Sequence, residues 1–338
     1  MRKALFFTIC TLFLSAEEVY IPPSQEVIES ELRSAEEDFE IAQKMFVPWY
    51  SGPLLTGSAS NVDPGMMLLQ PYLFTTVTHA SYNDDRDSKN IPNILTLNPL
   101  FYFETGITTW MDLFGTFSAA FNRQNDHWAS YSEDSSLGLG FQIQRETPYI
   151  PKVRLAISET LPTGKHDNLD PSNGGIDATG GGSFNTTFSL NLSKVFWWNK
   201  LHPTAMRTNL VYTFTTPTHV DNFNAYGGGQ GTDGKVKPGN SWSIDVGYEY
   251  SITQRWVFAC DAVYSYFNKS SFSGKKGRDA NGLPFSIGGP WGDQLSVSPA
   301  IEYNLSPDMG MVAGVWFTAT GRNSSNFISL VYTLYTVF

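Results

Sequence analysis

The last eleven residues of the chain, Ile328 to Phe338, alternate. Ile328, Leu330, Tyr332, Leu334 and Phe338 fall on one face, with Thr336 the only weak member. Ser329, Val331, Thr333, Tyr335 and Val337 fall on the other. A period of two over this length predicts a strand tall enough to cross a bilayer, which takes about 9–11 tilted residues. From residue 67 onward twelve segments repeat the pattern: 67–79, 94–104, 110–122, 136–146, 152–161, 184–196, 204–216, 241–251, 255–267, 293–304, 309–320 and 326–338. Their connections alternate in length. Residues 105–109, 147–151, 197–203, 252–254 and 305–308 are short; residues 80–93, 123–135, 162–183, 217–240 and 268–292 are long. The last connection, 321–325, is short but falls on the long side. The pattern predicts an all-β chain: a transmembrane antiparallel up-and-down β-barrel of about 12 strands, with short turns in the periplasm and long loops outside. An even strand count then puts both ends of the barrel in the periplasm.

The alternation also assigns faces. Trp242, Ile244, Val246, Tyr248 and Tyr250 point to lipid, as do Trp256, Phe258, Cys260, Ala262, Tyr264 and Tyr266. Leu295 to Tyr303 and Phe184 to Leu192 follow the same rule at every second position. Trp110, Trp256, Tyr303 and Phe338 near the strand ends suit interfacial girdles. The inward set carries the acids Glu104, Asp112, Glu146, Asp245, Glu249, Asp261 and Glu302 and the bases Arg154 and Arg207. A dry core does not tolerate so many charges, so the interior is wet or ion-paired. These nine residues are the candidate pore lining. Pairing of the arginines with some of the acids is the blander alternative for any single one.

The N-terminal part differs. Arg2 and Lys3, an apolar run Ala4–Leu14 and a small residue at Ala16 predict a signal peptide over 1–16, too short to span a membrane. Residues 17–66 read as a periplasmic helix over 24–46 followed by a Gly/Pro/Ser-rich linker, and 67–338 as the barrel. Ile28, Leu32, Ala35, Phe39, Ala42 and Phe46 make a helical stripe, with Ser24 as N-cap and Pro48 as terminator. No other segment has about 18 consecutive apolar residues, so no transmembrane helix is expected.

Composition narrows the chemistry. The formal charge of −10 becomes −12 without Arg2 and Lys3, which argues against nucleic acid as a partner. Only Cys260 remains after the signal, so no internal disulfide can form. Of the five histidines only His79 is followed at +2 by serine, Ser81, the spacing of barrel phospholipases, but it falls at a strand end, and no His/Cys metal spacing appears. Neither an enzyme activity, nor a cofactor, nor a metal is expected. Lys275-Lys276-Gly277-Arg278 offers charge to lipopolysaccharide phosphates, although a solvated loop cluster is the commoner meaning.

Two resemblances add to this. A strand ending on Phe338, with apolar or aromatic residues at alternate positions before it, resembles the C-terminal strand of bacterial outer-membrane barrels. That implies delivery to the outer membrane by the barrel assembly machinery and contact with outer-membrane lipid and lipopolysaccharide. Pro48-Trp-Tyr-Ser-Gly-Pro-Leu-Leu55, Pro71-Tyr-Leu-Phe74 and Leu161-Pro-Thr-Gly164 resemble Gram-negative outer-membrane transporters of the phenol-degradation (meta-pathway) type. That likeness implies a channel for small solutes, aromatic or hydrophobic ones among them. A closed structural barrel acting through its loops is the other expectation. Small, polar inward residues favour passage; the bulky inward Tyr102, Phe114, Trp316 and Tyr335 favour closure.

Overall fold

The computed structural model describes residues 23–45, 47–199 and 201–338. The expected signal peptide and Phe46 lie outside the described residues. The helix α1 spans Gln25–Met45, and the amides of Val27 and Ile28 donate to the Ser24 carbonyl at its start. It forms a unit of its own, with Val27, Ile28, Leu32 and Ile41 exposed.

Sixteen strands follow: β1 Met67–Tyr82, β2 Ser88–Thr108, β3 Met111–Gln124, β4 His127–Ser132, β5 Ser135–Gln144, β6 Lys152–Leu161, β7 Asn185–Phe196, β8 Thr204–Thr215, β9 Thr218–Asp221, β10 Asp233–Lys237, β11 Ser241–Ser251, β12 Trp256–Phe267, β13 Ser271–Lys275, β14 Gly292–Ser306, β15 Met309–Arg322 and β16 Ser325–Val337. Twelve of them close a barrel in the order β1-β2-β3-β5-β6-β7-β8-β11-β12-β14-β15-β16, every neighbour antiparallel. β4 pairs with the upper part of β3 and continues the β5 stave. The seam is β1 on β16, locked at its foot by two hydrogen bonds between Met67 and Phe338, at 2.8 and 3.0 Å. Closure removes the unpaired edges that a bilayer would not tolerate.

The outer surface is apolar because alternate residues face away from the lumen. Phe188, Leu210, Ile244, Phe258, Ile301, Ile328, Leu330 and Tyr332 are exposed, while Glu249, Asp261, Glu302, Ser329 and Thr333 are wholly buried. Paired rings flank this belt. Trp110–Phe141, Phe196–Trp198 and Trp256–Tyr303 lie near the short turns; Trp242–Tyr266 and Tyr266–Trp291 lie near the long loops. An apolar band between aromatic girdles is what a lipid-embedded barrel requires.

The long-loop end is ordered as well. β9, β10 and β13 form a separate three-stranded sheet. Asp177 in the connection after β6 is buried and accepts from Lys165 Nζ at 2.8 Å. This bond holds the lysine ammonium above its usual range. Tyr226 Oη donates to the Gly181 carbonyl at 2.6 Å and ties two long loops together.

Candidate functional site in the barrel lumen

Residues 47–66, expected as a linker, supply polar partners to several inward side chains of the barrel wall. Between Val47 and β1 the chain runs among inward side chains of at least eight staves. Its amides are donors without a ladder, and the inward carboxylates are acceptors. Leu55 N–H donates to Asp261 Oδ2 at 3.2 Å, and Thr56 donates to Asp261 Oδ1 from both its amide (3.0 Å) and its hydroxyl (2.6 Å). Ser51 N–H donates to Glu302 Oε2 at 3.1 Å, and the Ser51 hydroxyl bonds Asn304. Farther along, Asn61 N–H donates to Gln142 Oε1 at 3.0 Å and Val62 N–H to Glu104 Oε1 at 3.2 Å.

Small inward residues make room for this segment. A Cβ on Gly247 would stand 2.8 Å from Pro53 Cγ, and one on Gly314 would stand 2.8 Å from Leu54 Cδ1. Both separations are too short for real contacts, so glycine at 247 sets how closely the segment can approach, while glycine at 314 also clears the β14 backbone, where a Cβ would stand 2.4 Å from the Pro299 carbonyl oxygen. Leu54 packs with Ala259, Ala300, Val312 and Val331 in a buried apolar cluster, bordered by Leu55, Tyr72, Phe74 and Trp316. Burying Leu54 alone is worth about 1.5–3 kcal/mol, which helps hold the segment inside.

The nine candidate residues fall into distinct groups. Arg154 donates to Asp112 from Nε (3.1 Å) and Nη2 (2.6 Å), lies 3.8 Å from Glu104, and reaches Asn61 Oδ1 at 3.0 Å. Its guanidinium also sits 5.1 Å from the Phe114 ring centroid. Arg207 donates to Glu249 at 2.7 and 3.2 Å. The bidentate geometry suits guanidinium and carboxylate, and it makes both pairs strong where water is scarce. Asp261 and Glu302 instead take their hydrogen bonds from the inner segment. Glu146 lies 3.7 Å from Lys194 at the short-turn rim. Asp245 stands apart, with no ion-pair partner among the described residues.

Sequence reasoning missed the segment itself and two lysines at the rim, the inward Lys152 and also Lys194. Lys152 Nζ donates to Ser60 Oγ at 2.5 Å. Lys152 lies two residues before Arg154, so the period of two could have placed it; Lys194 is three residues from Asn191, opposite the outward Met206, and reaches the rim by donating to the Thr147 carbonyl at 2.6 Å.

The lumen is not filled. A cavity of about 460 Å³ opens at the short-turn end, lined among others by Trp49, Asp63, Glu104, Glu146, Lys152 and Arg207. A second, of about 220 Å³, lies deeper, against Gln70, Tyr72, Leu100, Tyr102, Arg154 and Tyr335. Ser51, Ser58, Leu68, Glu104, Arg207 and Tyr335 line both, so the two voids adjoin at this ring.

Closure, the apolar belt and the charged interior together define a β-barrel protein of the bacterial outer membrane, in contact with its lipid. Among solved structures the chain is similar to an outer membrane channel from Pseudomonas putida F1, at 10% identity and TM-score 0.64, over 84% of this chain and 100% of that one. This likeness shows a shared fold. Looser similarities reach the NanC porin (11% identity, TM-score 0.37, 78% of this chain and 98% of that one) and the translocator domain of the autotransporter NalP from Neisseria meningitidis (8%, 0.40, 93% and 97%). No family model matches the sequence.

Proposed function

We propose that the protein is a non-catalytic outer-membrane channel for small solutes, with residues 47–63 forming an inner constriction. The observation that carries this reading is the pair of adjoining voids beside that segment. A closed structural barrel gains nothing from a continuous gap between Arg207, Glu104 and Tyr335. The deeper void mixes Tyr72, Leu100, Tyr102 and Leu54 with Arg154 and Gln70. That lining suits small solutes with an aromatic or apolar body and a polar end, in keeping with the sequence likeness to phenol-degradation transporters. Glu104, Arg154 and Arg207 of the nine candidates border the path directly; Glu146 borders its mouth. Asp112, Glu249, Asp261 and Glu302 act behind them by fixing the arginines and the segment. Asp245 lines neither void.

The mouth carries the acids Asp63, Glu104, Glu146 and Asp308 against the bases Lys152, Lys194 and Arg207. A narrow wall of low dielectric sharpens even this small excess, so a weak preference for cations is expected, fading as salt screens it. Planar-bilayer recording on refolded protein tests the proposal. Small, cation-preferring steps at low salt support it. An anion-selective pore contradicts the charge assignment, and a complete absence of current, also after replacement of residues 49–62, leaves the closed barrel acting through its loops.

A further inference from the structure

The surface sheet brings together three side chains that the sequence keeps apart. β9 and β10 pair antiparallel, with Asp221 directly opposite Asp233 and His219 opposite Lys235. His219 and Asp221 are two residues apart and therefore share one face of β9. Val220 and Val236 occupy the other face and are wholly buried, which fixes His219, Asp221 and Asp233 on the solvent side. His219 Nε2 lies 3.3 Å from Asp221 Oδ2 and 3.6 Å from Asp233 Oδ1. One donor atom from each of the three residues lies within 4.8 Å of the other two.

Two carboxylates facing each other across a ladder repel and weaken the pairing. Lys275 faces Asp233 on β13, yet among the described residues neither aspartate forms an ion pair with a lysine or arginine. Metal bonds of about 2.0–2.1 Å to nitrogen and oxygen place neighbouring donors of a tetrahedral ion roughly 3.3–3.4 Å apart. Both separations from His219 are near that value.

We propose that His219, Asp221 and Asp233 form a three-ligand site for a divalent transition cation of the zinc type, clipping β9 to β10. One imidazole nitrogen and two carboxylate oxygens suit such an ion, whereas calcium takes six to eight oxygens, about twice what these residues offer. Three protein ligands leave a fourth position for water. The ion cancels the repulsion between the aspartates and holds the register that frames residues 222–232.

The site is tested by titrating ZnCl₂ into the full-length, detergent-refolded protein in a calorimeter. One saturable site is expected, weakened at least tenfold by each of His219→Ala, Asp221→Asn and Asp233→Asn and unchanged by His127→Ala. Absence of saturable binding, or affinity in the three variants equal to that of the unsubstituted protein, overturns the proposal. A second measurement needs no variant: Co²⁺ added to the unsubstituted protein should give visible d–d bands that Zn²⁺ abolishes. If the spectrum stays that of hydrated Co²⁺, the three residues are an imidazole bridging two carboxylates and not a metal site.

Discussion

The lumen has two unlike walls. On β11, β12, β14 and β15 the inward residues that meet the inner segment are Gly247, Ala259, Asp261, Ala300, Glu302, Val312 and Gly314, and the segment lies directly on them. On β1, β2 and β16 they are Gln70, Tyr72, Leu100, Tyr102 and Tyr335, and there the void remains. Small inward residues did not widen the lumen, as inward size alone suggests. They opened a groove that the chain itself fills, while the larger side chains hold the segment off and border the gap. The acids divide in the same way. Those near Arg154 are neutralised by a barrel residue; Asp261 and Glu302 depend on amides that enter from outside the barrel sequence.

Replacing residues 49–62 with a Gly/Ser linker should break this asymmetry most severely. The groove then fills with water, and single-channel conductance should rise several-fold; an unchanged conductance would place the path elsewhere. Asp112→Ala attacks the other arrangement. It leaves Arg154 buried with a weaker partner, at a cost of about 3–5 kcal/mol. Urea unfolding of the refolded barrel should register that loss with conductance little altered. Gly247→Leu puts a side chain where Pro53 and Thr56 sit, and overpacking of about 1–3 kcal/mol should lift the segment from its groove. Longer open times in bilayers would follow, with heat-modifiable mobility retained. Asp261→Ala strips three hydrogen bonds from Leu55 and Thr56, and water can reach part of the gap. The expected effect is smaller, roughly 1 kcal/mol of segment docking, seen as brief openings and no loss of barrel stability. Should Asp261→Ala destabilise the barrel as much as Asp112→Ala, the division between the two kinds of acid fails.

The barrel was legible in the sequence because its physical cause is local. Ile328, Leu330 and Tyr332 meet lipid at every second position, and strand boundaries follow from that rule. β9 was not legible, since Thr218–Asp221 is too short to show a period. β4 was not either, because His127–Ser132 is a six-residue strand inside the polar stretch 123–135 that reads as a loop. Gly52, Pro53 and Ser58 read as a linker on composition; their partners Arg207, Gly247 and Asn191 lie more than 130 residues away. The inward charges were found by alternation, but which carboxylate pairs with which donor depends on barrel registry. His219 and Asp233 share a face only because β9 and β10 pair across the eleven-residue excursion 222–232.

The inner segment also sets an order of events. Ser51 meets Glu302 across 251 residues of sequence, and Leu55 meets Asp261 across 206. Contacts so distant carry a large closure entropy and form only after the wall that receives them exists. A newly assembled barrel therefore passes through a stage in which the seam is sealed and the groove is vacant. During that interval the lumen is at its widest. The leakiness of a nascent population, measured as dye release from vesicles during refolding, should peak early and then decay with a single rate. That rate is the docking rate of the N-terminal segment, separable from insertion because lipid thickness changes the one and a Leu54 substitution changes the other.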